Sequence, residues 1–322
     1  MRVRPPFLTP ALASALLLLA SCDGTRAESS GTASGPVSFD ETRAFADLRY
    51  LAETIGPRRI ATPGAEKTRA YLRAQLEPHG WTIEESKFEA TAPEGAQRQG
   101  TFTGVNLLAR RAGNLPGEMW LASHYDTLDK PGFIGANDGG SSTALLLELG
   151  RQLGGQGPRA GMSLVLAFLD GEEKFPPVAW HDDTNSTFGS RHEAARIKAA
   201  KREKEVRAFL LFDLVGDADL GLFIESSTDS RARKIFEQTA FALGDKQLFI
   251  GSREIKDDHI HFRKLGIPVA DLIDLNFGPN NAYWHELEDN MDRVSAASLG
   301  RVGRLALTAL PELEKAYAVE RR

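Results

Sequence analysis

Cysteine is almost absent from this chain: Cys22 is the only one in 322 residues. One thiol closes no internal disulfide, so no disulfide framework supports the fold. No block of Lys and Arg stands out either, which argues against a nucleic-acid footprint. The 39 basic and 44 acidic residues give a net charge of −5, a mild acidity that bears on solubility and not on fold. The apolar run over residues 11–20 is too short to cross a bilayer. There is no internal repeat and nothing that marks a second domain. What remains is ordinary globular composition, 42% hydrophobic and 26% charged.

The N-terminus reads as a targeting segment. Arg2 and Arg4 form a basic start, residues 11–20 an apolar stretch, and Leu19-Ala20-Ser21-Cys22 resembles a bacterial lipobox. Residues 1–22 are therefore expected to be a lipoprotein signal peptide, with cleavage leaving a lipid anchor on Cys22. Without Arg2 and Arg4, 37 basic and 44 acidic residues remain, a net charge of −7. Residues 23–38 (DGTRAESSGTASGPVS) carry almost no apolar bulk and read as a flexible linker. Residues 39–322 form the expected catalytic domain, held outside the cytoplasm in the periplasm or cell envelope.

From Phe39 onward the pattern becomes structured. Ala44, Leu48, Leu51 and Ile55 recur at helical spacing until Gly56-Pro57, and Thr62-Pro63 opens a second helix. Residues 81–90 and 100–110 read as strands of an antiparallel edge. Strand and helix then alternate: apolar strands at 119–123, 163–169, 208–215, 222–225 and 269–273, with helices at 141–153, 188–200, 231–243 and 295–317. Strands apolar on both faces call for helices on both sides. The expected fold is α/β, a single three-layer α/β/α domain with a mixed, mostly parallel central sheet.

The chemistry-bearing residues cluster just beyond strand ends, where an open α/β sheet places its ligand site. His124-Tyr125-Asp126 follows the first central strand. His124 would ligate a metal, with Asp126 orienting it or a neighbouring ligand; taken alone, His-x-Asp is more often structural. Asp138, in Gly135-Ala136-Asn137-Asp138-Gly139-Gly140, is either a helix cap or a ligand. Glu172 and Glu173 follow a buried strand, and neighbours there point different ways, which suits one ligand and one proton carrier. Asp213 interrupts an apolar run, and a buried carboxylate needs a partner or a metal. Asp257-Asp258-His259 and Trp284-His285 complete the set, with Trp180, Phe277 and Trp284 as apolar walls. The inventory suffices for one or two zinc ions plus a carboxylate for general-base work.

These stretches together resemble animal-type glutaminyl cyclases of the zinc aminopeptidase superfamily: HYDT, IGANDGGSSTALLLELGR, LDGEEKF, TFGSRHEA, FDLVGD, DDHIHFRKLGIPV and WHELEDNMDRV. The likeness runs from about Phe39 to the C-terminus, and Trp directly before the last histidine is among its more specific pieces. The resemblance implies that Asp138, Glu173 and His285 hold one zinc. It makes Glu172 the general acid/base, joined by Asp213 and Asp257, and has Trp180, Phe277 and Trp284 line the substrate pocket. It also implies a cis peptide between Asp138 and Gly139. The segments 174–179 and 278–283 look longer than in the animal enzymes, and the disulfide of those enzymes has no counterpart here.

Two activities follow. One is zinc-dependent conversion of N-terminal Gln of peptides or proteins to pyroglutamate with release of ammonia. The other is a two-zinc aminopeptidase, with His124, Asp138 and Asp213 holding the second ion and Asp126 nearby. A solute-binding lipoprotein on the same fold would show a damaged site, and no catalytic position is lost. Expected partners are peptides beginning with Gln and a membrane reached only through the lipid; the protein is expected to be a monomer.

Overall fold

The computed structural model describes Met1 and residues 38–181 and 183–318. The signal peptide, Cys22 and nearly all of the linker lie outside the described residues.

Helix α1 (Glu41–Arg49) runs into a wider turn at Tyr50–Ile55 and stops at Gly56. Helix α2 (Pro63–Leu76) starts behind Thr62, whose hydroxyl donates to the Arg59 carbonyl rather than capping the helix. Strands β1 (Thr82–Thr91), β2 (Thr101–Arg111) and β3 (Gly113–His124) follow, then α3 (Ser142–Gln152), β4 (Arg159–Leu169), α4 (Phe188–Ala199) and β5 (Val206–Asp213). The chain continues through β6 (Leu222–Glu225), α5 (Ser230–Ala242), β7 (Phe249–Arg253), α6 (His259–Lys264), β8 (Val269–Ile273) and α7 (Ala296–Tyr317). The eight strands form one sheet in the order β1-β2-β4-β3-β5-β8-β6-β7. β3, β4, β5 and β8 are parallel; β1 and β2 add an antiparallel edge, and β6 pairs antiparallel with β8.

The apolar-on-both-faces reading of the central strands has a direct counterpart in packing. In β3, Met119 and Leu121 join the larger core under α1, α2, α3, α5 and α7, while Trp120 and Ala122 face the smaller one with Ile197 of α4 and Phe262 of α6. β4 alternates likewise, with Leu164, Leu166 and Phe168 on one side and Val165, Ala167 and Leu169 on the other. This period of two across a buried sheet produces the three layers. Strand β4 lies on one side of β3 and β5 on the other, so the chain reverses direction across the sheet there. That reversal opens a crevice beyond the carboxyl ends of the parallel strands.

One buried cation locks the loops over this crevice. Arg58 is fully buried, and its guanidinium donates to the carbonyls of Leu51, Gly56, Tyr125, Ile134 and Gly135 at 2.8–3.3 Å. Burial pulls its pKa down to about 10, with Asp289, Asp126 and Asp138 opposing. Loss of the guanidinium strands several buried carbonyls at once. Arg58→Met is expected to cost about 3 kcal/mol or more. Arg49→Met removes an exposed pair with Glu53 and a loose contact with the Phe45 ring, and should cost under about 1 kcal/mol. Urea unfolding of the two variants reads the contrast; equal midpoints would deny Arg58 this role.

Candidate metal centre and active site

The site residues lie at or beyond the carboxyl ends of the strands, most of them on turns. His124 is the last residue of β3, and Asp138 lies in the loop before α3 between Gly135 (φ 51°) and Gly139 (φ 73°). A Cβ at Gly139 would come within 2.6 Å of the Asp126 carbonyl and 2.9 Å of the His124 ring, so only glycine lets this loop lie on β3. The Asp138–Gly139 peptide is trans, contrary to the expectation from the resemblance. The positive φ at Gly139 makes the reversal, and the cis bond among the described residues is Pro176–Pro177. Asp289 fixes the same loop from the far end of the chain, accepting from the backbone N of Asn137 at 2.6 Å and of Asp138 at 3.0 Å.

Asp126 organises the next turn. Its two carboxylate oxygens accept from the backbone N of Glu172 (3.1 Å) and Glu173 (3.2 Å), and it lies 3.4 Å from His124 Nδ1. With both amides turned to one carboxylate, the two side chains diverge. Glu172 Oε2 lies 3.8 Å from His124 Nδ1, and Glu173 Oε2 lies 3.2 Å from His285 Nε2. Asp213 ends β5, just before Leu214 in the left-handed region (φ 51°). His285 is itself left-handed (φ 61°), stacks on Trp284 at 4.0 Å and meets the Phe133 edge at 6.4 Å. A β-carbon residue in that region is strained and persists only where its surroundings hold it.

Two sets of side chains can each hold a metal ion, and they share Asp138: Asp138 with Glu173 and His285, and His124 with Asp138 and Asp213. Their hydrogen bonding differs. In the first set Asp138 Oδ2 and both Glu173 oxygens are buried without a hydrogen-bond partner. That is costly for carboxylates unless a cation satisfies them. In the second, Asp213 Oδ1 already takes the Leu214 amide at 2.8 Å and lies 3.2 Å from His124 Nε2, which is also 3.2 Å from Asp138 Oδ1.

The electrostatics match this crowding. Burial pushes Asp138 up, but the His124 hydrogen bond and the His285 and His124 charges outweigh it and hold the carboxylate low. Burial raises Glu172 well above the usual carboxylate range, with Asp257, Glu173 and Asp258 adding to it and His124 opposing. Asp257 is raised likewise by burial, Asp271, Asp213 and Asp258. Burial also lifts Asp258 to about 7 and Asp289 to about 7.

A cavity of about 250 Å³ opens onto these groups. Asp138, Glu172, Asp213, Asp257 and His285 line it with Trp180 and Trp284; Ile255, Ile273 and Leu275 add apolar wall, and exposed Arg253, Glu254 and Lys256 form the rim. Phe277 is not among the lining residues. It is fully buried one layer back, in a cluster with Ile255 and Ile273, which take the wall position expected of it. His124 and Asp126 are buried beneath the cavity. Sequence reading did not assign Arg58, Asp271 or Asp289. Asp271 carried a usable signal, the same one that marked Asp213: a lone acid in an apolar strand, here VADLI.

The model of peptidase family M28 matches residues 106–310. A glutaminyl-peptide cyclotransferase of Gloydius blomhoffii is 28% identical over 287 residues, covering 76% of this chain and 74% of its own. The crystal structure of Acidobacteriales bacterium glutaminyl cyclase superposes with a TM-score of 0.81 at 33% identity, over 90% of this chain and all (100%) of that one. Porphyromonas gingivalis glutaminyl cyclase gives 0.74 at 28% identity, over 85% and 98%. A match of this extent makes the chain a member of peptidase family M28 and, within it, of the glutaminyl cyclases.

Proposed function

We propose that this protein is a zinc-dependent glutaminyl-peptide cyclotransferase, converting N-terminal Gln of peptides to pyroglutamate and ammonia. The carrying observation is the pairing of a small cavity with the unpartnered carboxylate atoms at its base. About 250 Å³ lies below the roughly 300 Å³ at which sites for larger ligands begin, and fits one small side chain with its α-amine. Asp138, Glu173 and His285 would hold a single zinc, leaving a position open for substrate. When bound, the ion supplies Lewis-acid polarisation of the side-chain amide carbonyl.

The chain's own residues do the rest. Trp180 and Trp284 clamp the glutaminyl side chain against Ile255, Ile273 and Leu275 and keep water away. The α-amine attacks the side-chain carbonyl carbon, forming the ring C–N bond; no activated water is needed because nucleophile and electrophile are tethered. Glu172 takes the proton leaving the α-amine nitrogen and delivers it to the amide nitrogen. The old C–N bond then breaks and ammonia departs. Asp213 and Asp257 share the burden of charge around Glu172.

The two-zinc aminopeptidase reading has less support. In its second set Asp213 Oδ1 already takes the Leu214 amide and lies 3.2 Å from His124 Nε2, whereas both Glu173 oxygens of the first set lack a hydrogen-bond partner. The compared relatives with the higher identities carry the cyclase name. For location, the Leu19-Ala20-Ser21-Cys22 motif supports an extracytoplasmic enzyme anchored by lipid at Cys22 through residues 23–38. No helix among the described residues is long and apolar enough to cross a membrane.

Incubation of residues 38–322 with a Gln-initiated and a Leu-initiated peptide should show ammonia loss from the first alone by mass spectrometry; trimming of the Leu peptide would favour the aminopeptidase. Glu172→Gln is expected to lower kcat/KM by roughly 10²–10⁴-fold at unchanged zinc content, and near-normal turnover would remove Glu172 from its role. Elemental analysis should find one zinc per chain, lost in His285→Ala and retained in His124→Ala. Two zinc ions per wild-type chain would overturn the single-ion assignment.

A further inference from the structure

The reaction as described uses the floor and walls of the cavity and leaves the rim unexplained. Arg253, Glu254 and Lys256 are exposed there, on the segment leaving β7, a strand that pairs only with β6 at the sheet's edge. The backbone of this segment is pinned at both ends. The Arg253 carbonyl accepts from the Ser226 amide at 2.9 Å, and Ile255 is buried with Leu214, Ile273 and Phe277. Among the described residues neither cation is engaged in an ion pair. Lys130, near His285, is by contrast held by Glu286 and the His285 carbonyl.

We infer that Arg253 and Lys256 form a subsite for the residue that follows the substrate's N-terminal glutamine, and that this subsite favours an acidic side chain. The inference rests on the cyclotransferase reading. In that reading the glutaminyl side chain and α-amine fill the cavity, so the rest of the peptide leaves across the rim. Charge along that path is ordered. In that reading Asp138 and Glu173 are taken up by the zinc, the buried acids Glu172, Asp213 and Asp257 line the cavity that receives the amine, and two cations lie further out, offset in part by Glu254. A peptide with an α-ammonium followed by a carboxylate presents the complementary order. A basic second residue meets two like charges.

The test measures kcat/KM for Gln-Glu, Gln-Ala and Gln-Lys peptides of otherwise identical sequence, at low salt and in 0.5 M NaCl. At low salt the Gln-Glu peptide is expected to exceed the Gln-Lys peptide by roughly tenfold, with the ratio shrinking toward one in high salt as exposed charges are screened. The double variant Arg253→Glu, Lys256→Glu should invert the ratio. A wild-type ratio near one at low salt, or a salt-insensitive ratio, would overturn the subsite even if the variant failed to fold. So would a preference that survives the double substitution. Failure of all three peptides to cyclise would instead bring down the reading on which the subsite depends.

Discussion

Everything at the catalytic crevice depends on the carboxylate of Asp126. It sits just past β3 and reaches across to the turn after β4, where it receives two successive backbone amides. A side chain used this way acts as a template. It fixes the orientation of the peptide planes at Glu172 and Glu173, and so sends two chemically identical side chains toward different histidines. The divergence of Glu172 toward His124 and of Glu173 toward His285 is thus a backbone property imposed by a third acid. The same carboxylate lies beside His124 Nδ1, leaving that ring's other nitrogen toward Asp138 and Asp213. Dense packing of acids is tolerable here because most of them have a donor or a histidine close by.

Much of the fold was legible because burial on both faces leaves an unmistakable mark. Strands such as SLVLAFL and FLLF have no polar face to spare, and Leu222–Glu225 and Val269–Ile273 fall where the sequence places them. Strand β7 was not legible. FIGSR is short, largely exposed and shows no alternation, since one of its edges pairs with nothing. Helix α6, at six residues, is too short to display a period. The strand order was equally hidden, because it is decided by which crossovers pack best and not by any local pattern.

At the site, acids next to apolar runs were readable from the cost of burying charge. Residues that act through the backbone were not. Arg58 and Asp289 look like ordinary surface residues in sequence, since nothing local says that a guanidinium will collect five carbonyls or that an acid will bind two amides about 150 positions upstream. Phe277 shows the converse error. Aromatic character says that a residue will be buried, but whether it faces the pocket or stands behind Ile255 and Ile273 depends on the course of a loop.

The clasp on the Asp138 loop has a consequence for how the chain acquires its cofactor. Arg58 holds residues 134–135 from the N-terminal side, and Asp289 holds residues 137–138 from the C-terminal side. His285 lies only four positions before Asp289. A chain still emerging, or one cut short of this segment, therefore lacks both a candidate ligand and the acid that shapes the loop of another. Metal capture becomes a report of completed folding. Held by Asp138, Glu173 and His285, an ion would tie the middle of the domain to its last third.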